Sequence, residues 1–131
     1  MSLRATGPFD VQTTPHPPYE TADGITLGRM TFAKQFHGDL EATSTVEMLA
    51  ARTPVANSAG YVALERVVGV LQGKRGSFVL QHSGTMNRGQ PSLTVTVVPD
   101  SGTGELVGLA GAFKIDISDG KHAYDFAYTL G

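Results

Sequence analysis

The chain is predicted to be all-β: a closed, mostly antiparallel meander β-barrel of about eight strands. Three observations predict it. Runs rich in Val, Thr and aromatic residues alternate apolar and polar side chains, the period-two pattern of half-buried strands. Sixteen glycines and seven prolines supply frequent chain reversals. The runs are long and follow one another through tight turns, which favours a barrel over a sandwich and leaves no open sheet edge. At 131 residues the chain forms one domain, 1–131, long enough for a normal core.

The elements follow in order. Residues 9–13 (FDVQT) alternate and form a first strand. The segment 14–24 (TPHPPYETADG) is expected to be an irregular loop that covers or gates one barrel end, because its prolines fix φ and remove backbone donors. Asp23-Gly24 invites a turn. Residues 25–37 form a long strand with Met30, Phe32 and Phe36 on one side, and Gly38-Asp39 reverses the chain. Residues 40–51 return as a strand; their end has helical propensity, but an isolated seven-residue helix has little support.

The central hairpin pairs 61–71 with 76–86 across Gln72-Gly73-Lys74-Arg75. A turn centred on Gly73-Lys74 places Glu65 opposite His82. A turn centred on Lys74-Arg75 breaks that pairing but keeps both on one face, with Tyr61, Val67, Phe78, Leu80 and Met86. After a turn at 87–90, residues 92–98 direct Leu93, Val95 and Val97 one way and Thr94 and Thr96 the other. A glycine-rich link, 99–111, has room for a helical turn at 104–109. The last hairpin is the best specified. Asp119-Gly120 signals a type I′ turn, which pairs Ile115 with Tyr124, Phe113 with Phe126, and Lys114 with Asp125.

Bulk properties exclude several functions. Net charge is −2 without a basic stripe, so nucleic acid is not an expected partner. Cysteine is absent, which removes disulfides and thiol chemistry and fits a cytoplasmic location. No stretch is apolar enough to span a bilayer, and the N-terminus lacks a signal-peptide core. His16, His37 and His122 are scattered near turns with no ligand spacing, so no metal is expected. Phosphate-loop, dinucleotide and nucleophile-elbow motifs are absent, and no cofactor is expected.

The glycine segment 101–111 (SGTGELVGLAG), ahead of a strand, resembles the glycine motif of allene oxide cyclases and plant dirigent proteins. The hairpin 64–84 (LERVVGVLQGKRGSFVLQHSG) is similar to one in a family of small bacterial proteins of unknown function, and that resemblance extends over nearly the whole chain. It implies an allene-oxide-cyclase-like, calycin-type barrel. It brings no catalytic residues with it. The glutamate of the cyclases has no counterpart here, since Asp10 points away from the side shared by Phe9 and Val11. A small homo-oligomer is the expectation, by analogy with the trimeric cyclases.

The candidate site residues follow from the pattern. Glu65 and His82 are the candidate acid and base on an otherwise apolar face; the alternative is a buried structural pair. Tyr61, Phe78, Leu80, Phe113, Tyr124, Phe126 and Tyr128 are the candidate ligand-binding wall, or a packed core. Glu41, Glu47 and Lys34 lie on the hairpin 25–51, and one register brings Glu47 to the Phe32 side as a second candidate acid. Arg66, Gln81, Ser77, Ser83 and Thr85 belong to a solvated outer face. Three functions stay open: a barrel binding a small apolar or amphipathic ligand, a cofactor-independent isomerase or cyclase using Glu65 and His82, and a structural module with a filled core.

Overall fold

A computed structural model describes residues 2–131. The strands are β1 (Leu3–Pro15), β2 (Glu20–Ala22), β3 (Ile25–Phe36), β4 (Leu40–Arg52), β5 (Ala59–Leu71), β6 (Lys74–Asn87), β7 (Gln90–Val97), β8 (Ala110–Ser118) and β9 (Lys121–Thr129). A short 3-10 turn, Gly104–Leu106, precedes β8. All pairings are antiparallel; β1 pairs with both β9 and β3 and so closes an eight-strand barrel, to which β2 adds an extra strand on β3. Among the described residues no helix is long and apolar enough to cross a membrane.

Four reversals share one device. Asp23-Gly24, Gln72-Gly73, Arg88-Gly89 and Asp119-Gly120 each place two residues at positive φ between paired strands. This is the type I′ geometry whose twist matches that of the strands. In the last hairpin the register matches the expectation at every pair: Ile115 with Tyr124, Phe113 with Phe126, Lys114 with Asp125.

The central hairpin corrects its expected register. Its turn centres on Gln72-Gly73, because Gln72 accepts φ 45. Glu65 therefore opposes Leu80, and His82 opposes Ala63. The shift is even, so both residues keep the inward face. The Pro-rich segment is also corrected. Thr14 and Pro15 extend β1, and Glu20–Ala22 pairs with β3, so the chain continues the wall instead of crossing the mouth. His16 N–H donates to Arg29 O and Tyr19 N–H to Leu27 O, which holds the intervening prolines alongside β3.

The barrel has a packed base and an open mouth. At the base, Phe126 stacks on Phe113 with ring centroids 4.2 Å apart and on Tyr128 at 5.0 Å, while Leu40, Leu71, Leu106 and Leu109 fill the remaining space. The link 98–109 replaces β7 beside the start of β6. Thr103 N–H donates to Ser77 O, and Val79 N–H donates to Ser101 Oγ. That covers Ser77, whose Oγ lies 2.6 Å from Thr103 Oγ, so Ser77 is buried and not part of the solvated outer face. Gly102 is required here, since a Cβ would sit 1.8 Å from Leu106 O. At the mouth, the ends of β1, β4, β6 and β8 meet the starts of β3, β5, β7 and β9.

Candidate functional site

Inside the mouth lies a cavity of about 280 Å³. Phe9, Phe32, Val46, Met48, Leu93 and Ile115 give it an apolar wall. Lys34, His82, Tyr61 and His122 bring polar atoms to it. Its polar floor comes from four adjacent strands. Lys34 opposes Ser44 across β3–β4, Val46 opposes Glu65 across β4–β5, and Ala63 opposes His82 across β5–β6. Alternation turns Lys34, Ser44, Glu65 and His82 inward, and the Glu65 carboxylate lies on the diagonal between the others.

The contacts are short. His82 Nε2 is 2.8 Å from Glu65 Oε1, and Lys34 Nζ donates to the same oxygen at 3.2 Å. Ser44 Oγ donates to Oε2 at 2.6 Å. Glu65 has no exposed surface, while the Lys34 side chain keeps 10% and His82 5%. The Lys34 ammonium also lies 5.1 Å from the centroid of the Phe9 ring, a favourable cation–π placement.

Burial would push the Glu65 carboxyl up, but the His82 hydrogen bond, the Lys34 charge and the Ser44 hydrogen bond outweigh it and hold it below its ordinary value. Glu65 is therefore ionised near neutral pH and accepts from all three neighbours. Burial, and then the Glu65 charge, push the Tyr61 phenol up, so it stays protonated. The Tyr61 ring packs over Gly84, its cross-strand partner, where a Cβ would come within 2.4 Å of the ring.

The structure sorts the sequence candidates. Glu65 and His82 are together; His82 lines the cavity, and Glu65 lies beneath its surface with no exposed area. Of the seven candidate ligand-binding residues, Tyr61 lines the cavity. Phe78, Leu80, Phe113, Tyr124, Phe126 and Tyr128 are buried in the core instead. Their hydroxyls have other duties: Tyr124 Oη donates to His37 O at 2.7 Å and accepts from Leu40 N–H at 2.8 Å, and Tyr128 Oη donates to Gln72 Oε1.

Glu47 is outside, in an exposed pair with Arg29 at 2.7 Å, so the second candidate acid is not in the lumen. Glu41 is also outside, and its Oε1 accepts from Gly38 N–H. Lys34 is the inward residue of that hairpin. Its parity with Phe32 and Phe36 was the signal that could have found it, as parity with Val46 was for Ser44. His122 lines the cavity, whereas His16 bonds Thr31 and His37 lies between Asp10 and Glu41 at the surface. Among the described residues no three His, Cys, Asp or Glu side chains gather as a metal site.

Fold and site together define a small closed β-barrel with an apolar lumen and a charged floor. Residues 5–128 match the model for DUF3224, described as a protein of unknown function, and the chain belongs to that family. It is similar to a crystal structure of a DUF3224 protein with unknown function from Shewanella oneidensis MR-1, at 50% sequence identity and a TM-score of 0.94, over 100% of this chain and 99% of that one. No curated protein matches the chain.

Proposed function

We propose that the barrel binds a small, largely apolar molecule with one polar end, seated with that end on Lys34 and His82. The carrying observation is the charged floor of an apolar cavity, built on a carboxylate with no solvent exposure. Stability does not require this arrangement, because buried ion pairs replaced by apolar residues of similar volume often leave a protein equally or more stable. The volume, about 280 Å³, suits a molecule below drug size. Wall and floor together favour a compact alcohol, ketone or carboxylic acid.

The test is a thermal-shift series with such compounds. A ligand at ~100 times its Kd stabilises the native state by about 2.7 kcal/mol, which raises Tm by several degrees. Leu93→Trp adds bulk to the cavity wall at a partly exposed position away from the charged floor and should abolish the shift while leaving the fold intact. Absence of any shift over the series, or an unchanged shift in Leu93→Trp, would refute lumen binding.

A further inference from the structure

The Glu65–His82 hydrogen bond fixes more than a position. An ionised carboxylate only accepts, so His82 Nε2 must carry the hydrogen in the 2.8 Å contact with Glu65 Oε1. The other ring nitrogen, Nδ1, makes no hydrogen bond within the protein. His82 lines the cavity and keeps 5% of its side chain exposed, and no buried side-chain nitrogen among the described residues lacks a partner, from which we infer that Nδ1 opens on the lumen. With Nε2–H given to Glu65, the lone pair of a singly protonated His82 ring lies on Nδ1. Lys34 Nζ converges on the same carboxylate oxygen and lines the same cavity, with N–H groups to spare.

We propose that His82 is a general base that shifts a proton on an enolisable carbonyl compound held in the lumen, with Lys34 facing the oxygen that gains charge. The proposal rests on the lumen-binding reading. Nδ1 takes the proton from the carbon next to the carbonyl. The C–H electron pair forms a C=C bond, and the C=O pair moves to oxygen, where the ammonium of Lys34 stabilises the enolate. Imidazolium Nδ1–H then returns the proton. When the Nδ1 proton first swaps with solvent water, return to the same carbon exchanges the α-hydrogen; return two carbons further along a β,γ-unsaturated ketone gives the conjugated isomer. The carbonyl re-forms, nothing is oxidised or reduced, and no cofactor enters. Glu65 is a positioning residue: it fixes the His82 tautomer and stabilises the imidazolium.

Two measurements test this. In protein labelled with ¹⁵N-histidine, the singly protonated His82 ring should show a protonated Nε2 and an unprotonated Nδ1; a protonated Nδ1 with a bare Nε2 overturns the base. This reading needs no ligand and no variant. The second probe is 2-decalone in D₂O, with cyclohexanone beside it, followed by proton NMR. Wild-type protein should speed α-deuteration saturably, and His82→Gln should lose on the order of 100-fold or more in the rate at saturating ketone, beyond any weakening of binding. Lys34→Met should slow exchange as well. Glu65→Gln should slow exchange and mix the two His82 tautomers in the ¹⁵N spectrum, because an amide can accept from Nε2 or donate to it whereas the carboxylate only accepts. Ketone that binds without exchange above the His82→Gln level overturns the proton shift and leaves lumen binding standing. Ketones that do not bind at all overturn the proton shift, and lumen binding falls with it only if the alcohols and acids of the thermal-shift series also fail.

Discussion

His82 reaches Glu65 without facing it. Nε2 and Oε1 are 2.8 Å apart, yet across the β5–β6 hairpin Glu65 opposes Leu80 and His82 opposes Ala63. The contact is diagonal, and the small side chain of Ala63 leaves the imidazole room to lean toward the carboxylate. The same carboxylate holds Lys34 from two strands away, so one acid ties β3, β4, β5 and β6 together.

The two charged partners of this network are predicted to be unequal in mutation. Glu65→Gln leaves the Lys34 ammonium beside an amide and should cost about 3 kcal/mol, the low end for breaking a buried pair, since Lys34 can lean toward the cavity. Lys34→Met should cost less, because Glu65 keeps its hydrogen bonds from His82 and Ser44. The double variant Lys34→Met/Glu65→Gln should recover most of the Glu65→Gln loss. Urea unfolding of the four proteins measures this, and additive losses in the double variant would show that the charges do not interact.

Acid should unfold the protein partly through the same group. A carboxyl held below its ordinary value of 4.5 binds its proton more weakly folded than unfolded. Its stabilisation is complete above that value and is lost as pH falls through the folded pKa. Glu47 and Asp125 are shifted in the same direction by Arg29 and Arg4, but these pairs are exposed. At about 1 M salt, where the Debye length is ~3 Å, their contribution is screened. The residual loss of stability below pH 4.5 should then be present in wild type and largely absent in Glu65→Gln. Equal slopes in the two proteins would assign it elsewhere.

Legibility in the sequence followed the strength of local turn chemistry. Asp119-Gly120 names a two-residue turn, and the β8–β9 register was readable pair by pair. Gln72-Gly73 uses the same geometry, but glutamine carries no preference for positive φ, so the β5–β6 register was displaced while its inward face was right. The mutual site of Glu65 and His82 survived because an even slip preserves parity. Lys34 and Ser44 were missed as partners because they arrive from strands remote in sequence, and only closure of the sheet brings them in. The aromatic set was read as one group, although depth divides it: Tyr61 is near the mouth and the others are in the core. Depth along a barrel depends on shear, which no single strand encodes.

Two glycine substitutions should separate close packing from turn geometry. Gly7 lies in β1 where a Cβ would come 2.1 Å from His37 O and 2.8 Å from Tyr124 Oη. Gly7→Ala must displace the β3–β4 turn, with its Tyr124 hydrogen bonds, and should cost about 1–3 kcal/mol. Gly28, in β3, has nothing within 4 Å of the same added atom. Gly28→Ala should be neutral or stabilise by a few tenths of a kcal/mol through the unfolded chain. Thermal melts of both variants are sufficient, and equal effects would refute the close approach at Gly7.

The division between packed base and open mouth makes the last prediction. Phe126 is fully buried and stacks on Phe113, Tyr128 and Phe78, the last at 5.9 Å. Phe126→Ala removes a ring from a closed environment and leaves a void, so it should cost about 3–5 kcal/mol. Phe32 lines the cavity that is already present. Phe32→Ala enlarges that space without creating a new enclosed void, so it loses the transfer contribution of the ring and little more, a cost clearly below that of Phe126→Ala. Its effect on ligands should be the reverse. Phe32→Ala should change which compounds raise Tm, because the wall they touch has moved, whereas Phe126→Ala should lower stability without changing their rank order. A base substitution that reorders the ligands, or a mouth substitution as costly as one in the base, would mean that the barrel is packed as a single core from end to end.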